Sequence, residues 1–184
     1  MTVKKKGITL IELIIAMAIL AIVLSVISSF FLTNYKALNS VNKDLELQSQ
    51  GEKVINFMVD NIIDGYGVKT VETPLVNLIS KNETEVNENL KLNNETEIKK
   101  LCIERLEAGG EEYKFELDGN TLNFYKGSEK KEICNDVSTI TVTPLPSGKS
   151  FTDCKGIRIE VKLKLDKIEK KFVNEVYLRN KQGN

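Results

Sequence analysis

The chain has 184 residues, with 26 basic and 26 acidic side chains and no histidine. This balance gives no sign of a nucleic-acid partner, because proteins that bind nucleic acids carry a basic excess. The lack of histidine excludes histidine-dependent catalytic triads and most zinc or iron sites. The sequence also contains no Gly-rich phosphate loop or nucleophile elbow, so we expect no enzyme, no cofactor and no metal.

An uncharged apolar segment, LIIAMAILAIVLSVISSFFL, occupies residues 13–32. About 20 helical residues, each rising about 1.5 Å, cross a hydrocarbon core of about 30 Å. Lys4, Lys5 and Lys6 precede this segment, and basic residues beside a membrane span stay on the cytoplasmic side. The sequence therefore predicts a single-pass protein of the cytoplasmic membrane, with the region after the span outside.

One acidic residue, Glu12, lies at the edge of this apolar segment. A carboxylate at the centre of a bilayer costs about 2.5–3.5 kcal/mol on insertion scales. The cost is smaller at the edge, but the position still calls for a partner. A secretory signal has a shorter apolar region than this one. A plain membrane anchor fits the hydropathy and explains neither Gly7 nor Glu12.

The sequence KKKGITLIEL resembles the class III signal of type IV pilins and pseudopilins, in which a basic leader ends in glycine and Thr-Leu-Ile-Glu-Leu follows one residue later. The resemblance covers about residues 3–32. It implies that a prepilin peptidase removes residues 1–7 by cutting after Gly7. Ile8, where most family members carry phenylalanine, becomes the new N-terminus and is usually methylated by the same enzyme.

The same resemblance assigns Glu12 to assembly. Its carboxylate is expected to pair with the Ile8 ammonium of a neighbouring subunit, since a buried pair is less unfavourable than either charge alone. The implied partners are other pilin or pseudopilin subunits, the prepilin peptidase and an inner-membrane assembly platform. Major pilins commonly carry a proline in the first helix, whereas here none precedes Pro74. This difference favours a minor pilin or pseudopilin.

Beyond the membrane segment, apolar residues recur at spacings of three, four or seven, which is typical of an amphipathic helix. These residues are Leu38, Val41, Leu45, Ile55, Met58, Val59 and Ile62. Gly51 weakens the helix locally, and the Asp64-Gly65-Tyr66-Gly67 cluster should end it. We therefore predict one helix over residues 8–64, followed by a loop region over residues 65–97.

Residues 98–184 are predicted to form an antiparallel β-domain. Strands are expected at residues 101–106, 112–117, 121–126, 137–143, 156–166 and 170–178. In GIRIEVKLKLD, apolar and charged residues alternate, which indicates a sheet with one covered face and one solvated face. The predicted fold is α+β, in which the amphipathic half of the helix packs on a sheet of five or six strands.

Three cysteines, Cys102, Cys134 and Cys154, lie in this β-domain. Outside the cell one disulfide and one remaining thiol are expected, and a bond between Cys134 and Cys154 is favoured. A bond to Cys102 is left open. The alternative is three buried thiols that act as small apolar side chains.

Some members of the resembled family bind calcium, and two pairs of residues in this chain carry oxygen atoms of the kind that calcium binds. They are Asp118 with Asn120, and Asn135 with Asp136. Both pairs have the composition of ordinary turns, so no metal site is predicted.

The predicted function is that of a minor structural subunit of a type IV pilus, or of a type II secretion or competence pseudopilus. The order of the last strands also loosely resembles the J-type minor pseudopilins. The alternative is an adhesin or binding module that is anchored to the membrane or filament and displayed outside the cell.

Overall fold

A computed structural model describes residues 9–74, 94–105 and 111–179. The chain divides into two compact units, Met1–Lys43 and Asp44–Asn184. One helix, α1 (Leu10–Ile62), forms the described part of the first unit and continues into the second. The predicted helix boundaries therefore agree with the observed ones to within two residues.

In the first unit, the large apolar side chains of α1 from Leu10 to Leu32 are exposed. Within the described residues, α1 is the one helix that is long and apolar enough to cross a membrane. The most apolar segment of this helix contains no buried residue. A bilayer or other apolar helices can solvate such a surface, whereas water cannot. The predicted transmembrane helix is confirmed.

The second unit contains two antiparallel sheets. The first sheet has the strand order β1-β3-β4-β5-β6, and the second has the order β2-β7-β8-β9. The strands are β1 (Gly67–Glu72), β2 (Thr96–Ile98), β3 (Lys100–Glu104), β4 (Glu112–Asp118), β5 (Thr121–Lys126), β6 (Glu129–Cys134), β7 (Val137–Leu145), β8 (Gly156–Leu165) and β9 (Ile168–Tyr177).

This architecture confirms the α+β fold, but the described residues form nine strands rather than five or six. The six predicted strands correspond to β3, β4, β5, β7, β8 and β9. The additional strands β1, β2 and β6 all lie at sheet edges, and β1 and β2 fall in the region predicted as loop. Edge strands are often short or charged, so they show little apolar alternation. The strand β2 has three residues, and the first four residues of β6 are exposed.

The part of α1 that belongs to the second unit packs on both sheets. The ring of Phe57 meets the ring of Phe124 on β5 edge to face, with centroids 5.1 Å apart. On the other side, the ring of Phe172 on β9 lies against Gly51. The buried positions of the helix are Leu47, Gly51, Val54, Ile55, Met58 and Ile62.

The predicted buried face of the helix began too early. Leu38, Val41 and Leu45 are 62%, 54% and 60% exposed, and burial begins at Leu47. Helical periodicity identifies an apolar face, but it does not reveal which turns of a long helix have a sheet beside them. Within the second unit, the buried part of the predicted apolar face begins at Leu47.

Gly51 has a packing role that the sequence analysis did not identify. A Cβ atom at this position would lie 2.0 Å from Cε2 of Phe172, which is far inside van der Waals contact. The glycine that weakens the helix locally is therefore the residue that lets β9 approach it closely.

Candidate assembly site at the start of the helix

Thr9 and Glu12 cap the N-terminus of α1. Glu12 Oε2 accepts a hydrogen bond from the backbone N–H of Thr9 and another from its hydroxyl, both at 2.8 Å. In return, the backbone N–H of Glu12 donates to Thr9 Oγ1 at 3.4 Å. Thr9 is thus the N-cap and Glu12 the third helical residue, which together form a capping box.

This geometry explains how an acidic residue is accommodated before the membrane segment. The start of any helix leaves backbone N–H groups without partners, and the capping box satisfies two of them, those of Thr9 and Glu12. A carboxylate near a helix N-terminus is also favoured by the helix dipole. Glu12 therefore has a structural role within its own chain.

The two oxygens of the Glu12 carboxylate are not equivalent. Both bonds from Thr9 end on Oε2, and none of the described residues donates a hydrogen bond to Oε1. Both residues are exposed in the single chain. One oxygen therefore fixes the carboxylate at the helix start, while the other can accept a hydrogen bond from a cation on another molecule.

The other predicted processing residues, Gly7 and Ile8, lie outside the described residues. The structure adds Thr9, which the sequence analysis did not single out. Its signal was present in the chain, because Thr-Leu-Ile-Glu matches the capping-box pattern of Ser or Thr followed three residues later by Glu or Gln.

Polar side chains near the end of the apolar segment bond within the helix. The Thr33 hydroxyl donates to the carbonyl of Ser29, and the Asn34 side-chain amide donates to that of Phe30, both at 2.9 Å. Such bonds to the preceding turn lower the cost of placing polar groups near a membrane.

The three cysteines are buried free thiols in the structure. The Cys134 thiol donates to Oε1 of Gln50 on α1 at 3.3 Å, whereas the Cys154 thiol donates to the carbonyl of Phe151 at 3.1 Å. Burial raises the pKa of Cys102 to about 11. The Cys134–Cys154 disulfide is absent from this structure and stays a prediction.

The two pairs of residues that resemble calcium ligands lie at strand ends and in the short connections between strands. Asp118 ends β4 and Asn120 precedes β5, with Gly119 between them at a φ of 59°. This left-handed conformation favours glycine and is typical of a tight hairpin turn. Across residues 9–74, 94–105 and 111–179, no group of three or more Cys, Asp or Glu side chains is arranged to hold a metal ion.

Residues 3–28 match the family model described as the prokaryotic N-terminal methylation motif. The match includes the capping box and most of the membrane segment, up to residue 28. A search of curated proteins and a search of solved structures each found no significant match.

The chain therefore carries the class III signal that indicates the type IV pilin and pseudopilin family. This signal supports a pilin-like subunit that is anchored in the membrane and built into a pilus or pseudopilus. It implies processing by a prepilin peptidase and assembly with other pilins. It points to a structural protein rather than to an enzyme.

Proposed function

We propose that the chain is a minor structural subunit of a type IV pilus, or of a type II secretion or competence pseudopilus. The observation that carries this proposal is the coincidence of the methylation motif with a helix whose most apolar segment has no buried residue. In this proposal, the peptidase cuts after Gly7 and methylates Ile8. The helix then stays in the membrane until the subunit enters a filament.

Assembly joins two charges that are unfavourable when each is alone in an apolar core. The Ile8 ammonium of one subunit approaches Oε1 of Glu12 in the next, while Oε2 stays bonded to Thr9. Leaving one member of a buried pair without its partner typically costs about 3–5 kcal/mol. The pair therefore acts mainly as a register device that rejects misaligned subunits.

The two-sheet unit is placed outside the cell in this proposal. The support is the cluster Lys4–Lys6 before the span, because such residues stay in the cytoplasm. Processing removes this cluster only after it has oriented the helix. The β-domain is then carried on the outside of the filament or of the membrane.

The minor role is supported by the sequence of α1. Its 53 residues include no proline, so the helix has no proline kink, and major pilins of the resembled family commonly carry one. The loose likeness of the last strands to the J-type minor pseudopilins agrees with this assignment.

Crosslinking in living cells tests the proposal. A photoreactive amino acid at Ile22, on the exposed part of α1, should give adducts with other subunits that carry a class III signal. The amount of this chain in the sheared filament fraction should be small relative to the amount of the main subunit. A chain that gives no such adducts while filaments form normally would be an anchored binding module instead.

A further inference from the structure

The outer face of the second sheet contains a groove of about 430 Å³. Strand register places its central residues side by side on this face. Thr143 on β7 is opposite Arg158 on β8, which is opposite Glu175 on β9. In the adjacent row, Thr141 is opposite Glu160. The groove thus crosses three strands whose other face belongs to the core.

Side-chain length accounts for the shape of the groove. The short side chains of Thr141 and Thr143 line it, and the longer side chains of Arg158, Lys171 and Glu175 also line it. Long side chains that stand on a sheet beside short ones enclose a depression between them. Its volume lies in the range of about 300–1,000 Å³ that is usual for small-molecule sites.

The charges of the groove are nearly balanced. Glu160, whose side chain is 12% exposed, pairs with Lys171 at 2.6 Å and with Lys162 at 3.7 Å. Arg158 and Glu175 form no ion pair with any described residue. The groove therefore presents a free guanidinium and a free carboxylate in an environment with little net charge.

An exposed aromatic ring borders the groove. Tyr177 follows Glu175 by two residues on β9 and faces the same side, and it is 49% exposed. Its Cδ1 atom lies 3.0 Å from the position that a Cβ atom at Gly156 would occupy. The ring therefore lies over this glycine, beside Arg158 and Glu175, and offers a flat apolar surface next to polar groups.

We propose that this groove binds a neutral polyhydroxylated ligand, one or two sugar rings of a glycan. A carboxylate accepts and a guanidinium donates pairs of hydrogen bonds, which matches neighbouring hydroxyl groups on a sugar. The Tyr177 ring can cover the apolar C–H face of the same sugar. An anionic ligand would meet the carboxylates of Glu95 and Glu175, and a cationic one would meet Arg158. The site goes beyond filament assembly, which does not require it.

The test uses the full chain in lipid nanodiscs, since detergents with sugar head groups would compete for the groove. The probes are neutral tetrasaccharides of glucose, mannose and N-acetylglucosamine, and a tetrasaccharide of glucuronic acid serves as the anionic comparison. Saturation-transfer NMR and calorimetry should detect binding of at least one neutral probe. That probe should bind more tightly than the anionic one.

Arg158→Ala and Glu175→Gln should each weaken this binding about tenfold or more, since each removes hydrogen bonds to a charged group. Lys130→Ala, at an exposed position on β6, should leave it unchanged. Tyr177→Leu tests the contribution of the aromatic ring to binding, because leucine keeps an apolar side chain over Gly156. For every variant, an unchanged melting temperature shows that the protein is folded. The proposal fails if no neutral probe binds at about 10 mM. It also fails if Arg158→Ala and Glu175→Gln bind like the wild type.

Discussion

The carboxylate of Glu12 accepts two hydrogen bonds from Thr9, and both end on the same oxygen. This relationship shows that the acidic residue before the membrane segment is already used within its own chain, as part of the helix cap. It also leaves the second oxygen free of any bond from the described residues. One side chain can therefore start the helix and also receive the N-terminus of a neighbour.

The first prediction concerns processing. The intact mass of the mature protein should correspond to a chain that begins at Ile8 with one added methyl group. Gly7→Leu should keep the leader attached, because the peptidase of the resembled family cuts after a small residue, whereas Gly7→Ala should be processed in part. A mature chain that begins near residue 30 would instead indicate an ordinary secretory signal.

The second prediction separates the two roles of Glu12. Glu12→Ala removes the partner of a neighbour's ammonium, so incorporation into filaments should fall at least tenfold, which corresponds to about 1.4 kcal/mol. The amount of the Glu12→Ala variant in the membrane should equal that of the wild type or exceed it, since deleting the charge lowers the cost of insertion. Quantitative crosslinking to other subunits, with total membrane protein measured in parallel, gives both values.

Thr9 supplies the matched control for that experiment. Thr9→Val removes the capping hydroxyl at a cost of about 0.5–2 kcal/mol to the helix start but leaves the Glu12 carboxylate in place. It should reduce incorporation less than Glu12→Ala does, and Thr9→Ser should behave like the wild type. If Glu12→Ala crosslinks normally, Glu12 serves only as a cap and is not an assembly residue.

The third prediction concerns Gly51. Gly51→Ala should lower the free energy of unfolding of the second unit by up to about 2 kcal/mol, because the new methyl group would lie 2.0 Å from the Phe172 ring. Overpacking a core usually costs about 1–3 kcal/mol, and the higher helix propensity of alanine offsets about 1 kcal/mol of that cost. Urea unfolding followed by near-ultraviolet circular dichroism measures the difference.

Lys53→Ala, on the exposed side of the same helical turn, should change this free energy by less than about 0.5 kcal/mol. Combining Gly51→Ala with Phe172→Leu should recover part of the loss, because the two changes share one contact. An increase in stability on Gly51→Ala alone would show that the ring moves away freely and that the close approach is not required.

The fourth prediction concerns the number of free thiols. Titration of the denatured, unreduced protein should find one, because a domain outside the cell favours one disulfide among the three cysteines. A count of three would show that Cys134 and Cys154 remain the buried thiols that bond to Gln50 and Phe151 in the structure. A count of one would establish a disulfide, and peptide mapping would then show whether it joins Cys134 to Cys154 or involves Cys102.

The fifth prediction concerns alkaline pH. Burial raises the pKa of Cys102 from 9.0 to about 11, with Lys100 opposing the shift and Glu112 and Glu72 adding to it. Folding therefore favours the protonated thiol. Its contribution, roughly 2–3 kcal/mol, is complete below about pH 9 and is lost as the pH rises through 11.

Urea unfolding of Cys102→Ala should accordingly depend less on pH between 9 and 11 than that of the wild type. The comparison cancels the titration of the lysines, which both proteins share. Parallel curves for the two proteins would mean that the thiol reaches water in the folded state.

Much of the molecule is determined locally. The membrane segment, the class III signal and the capping box are each encoded within a few adjacent residues, because hydropathy, protease recognition and helix capping act over one or a few turns. The strands β4 and β8 were also predictable, since each alternates between a core face and a polar face. The α+β class follows from these elements.

The tertiary structure decided the features that join distant parts of the chain. Burial of the helix begins at Leu47 rather than Leu38. The periodic spacing of apolar residues predicts an apolar face, but it does not indicate which turns of that face pack against a sheet. Gly51 is needed because Phe172, more than a hundred positions away, packs against it. The edge strands β1, β2 and β6 form through backbone pairing with neighbours, and such pairing leaves little trace in side-chain order. The groove around Arg158 likewise exists only once three strands are in register.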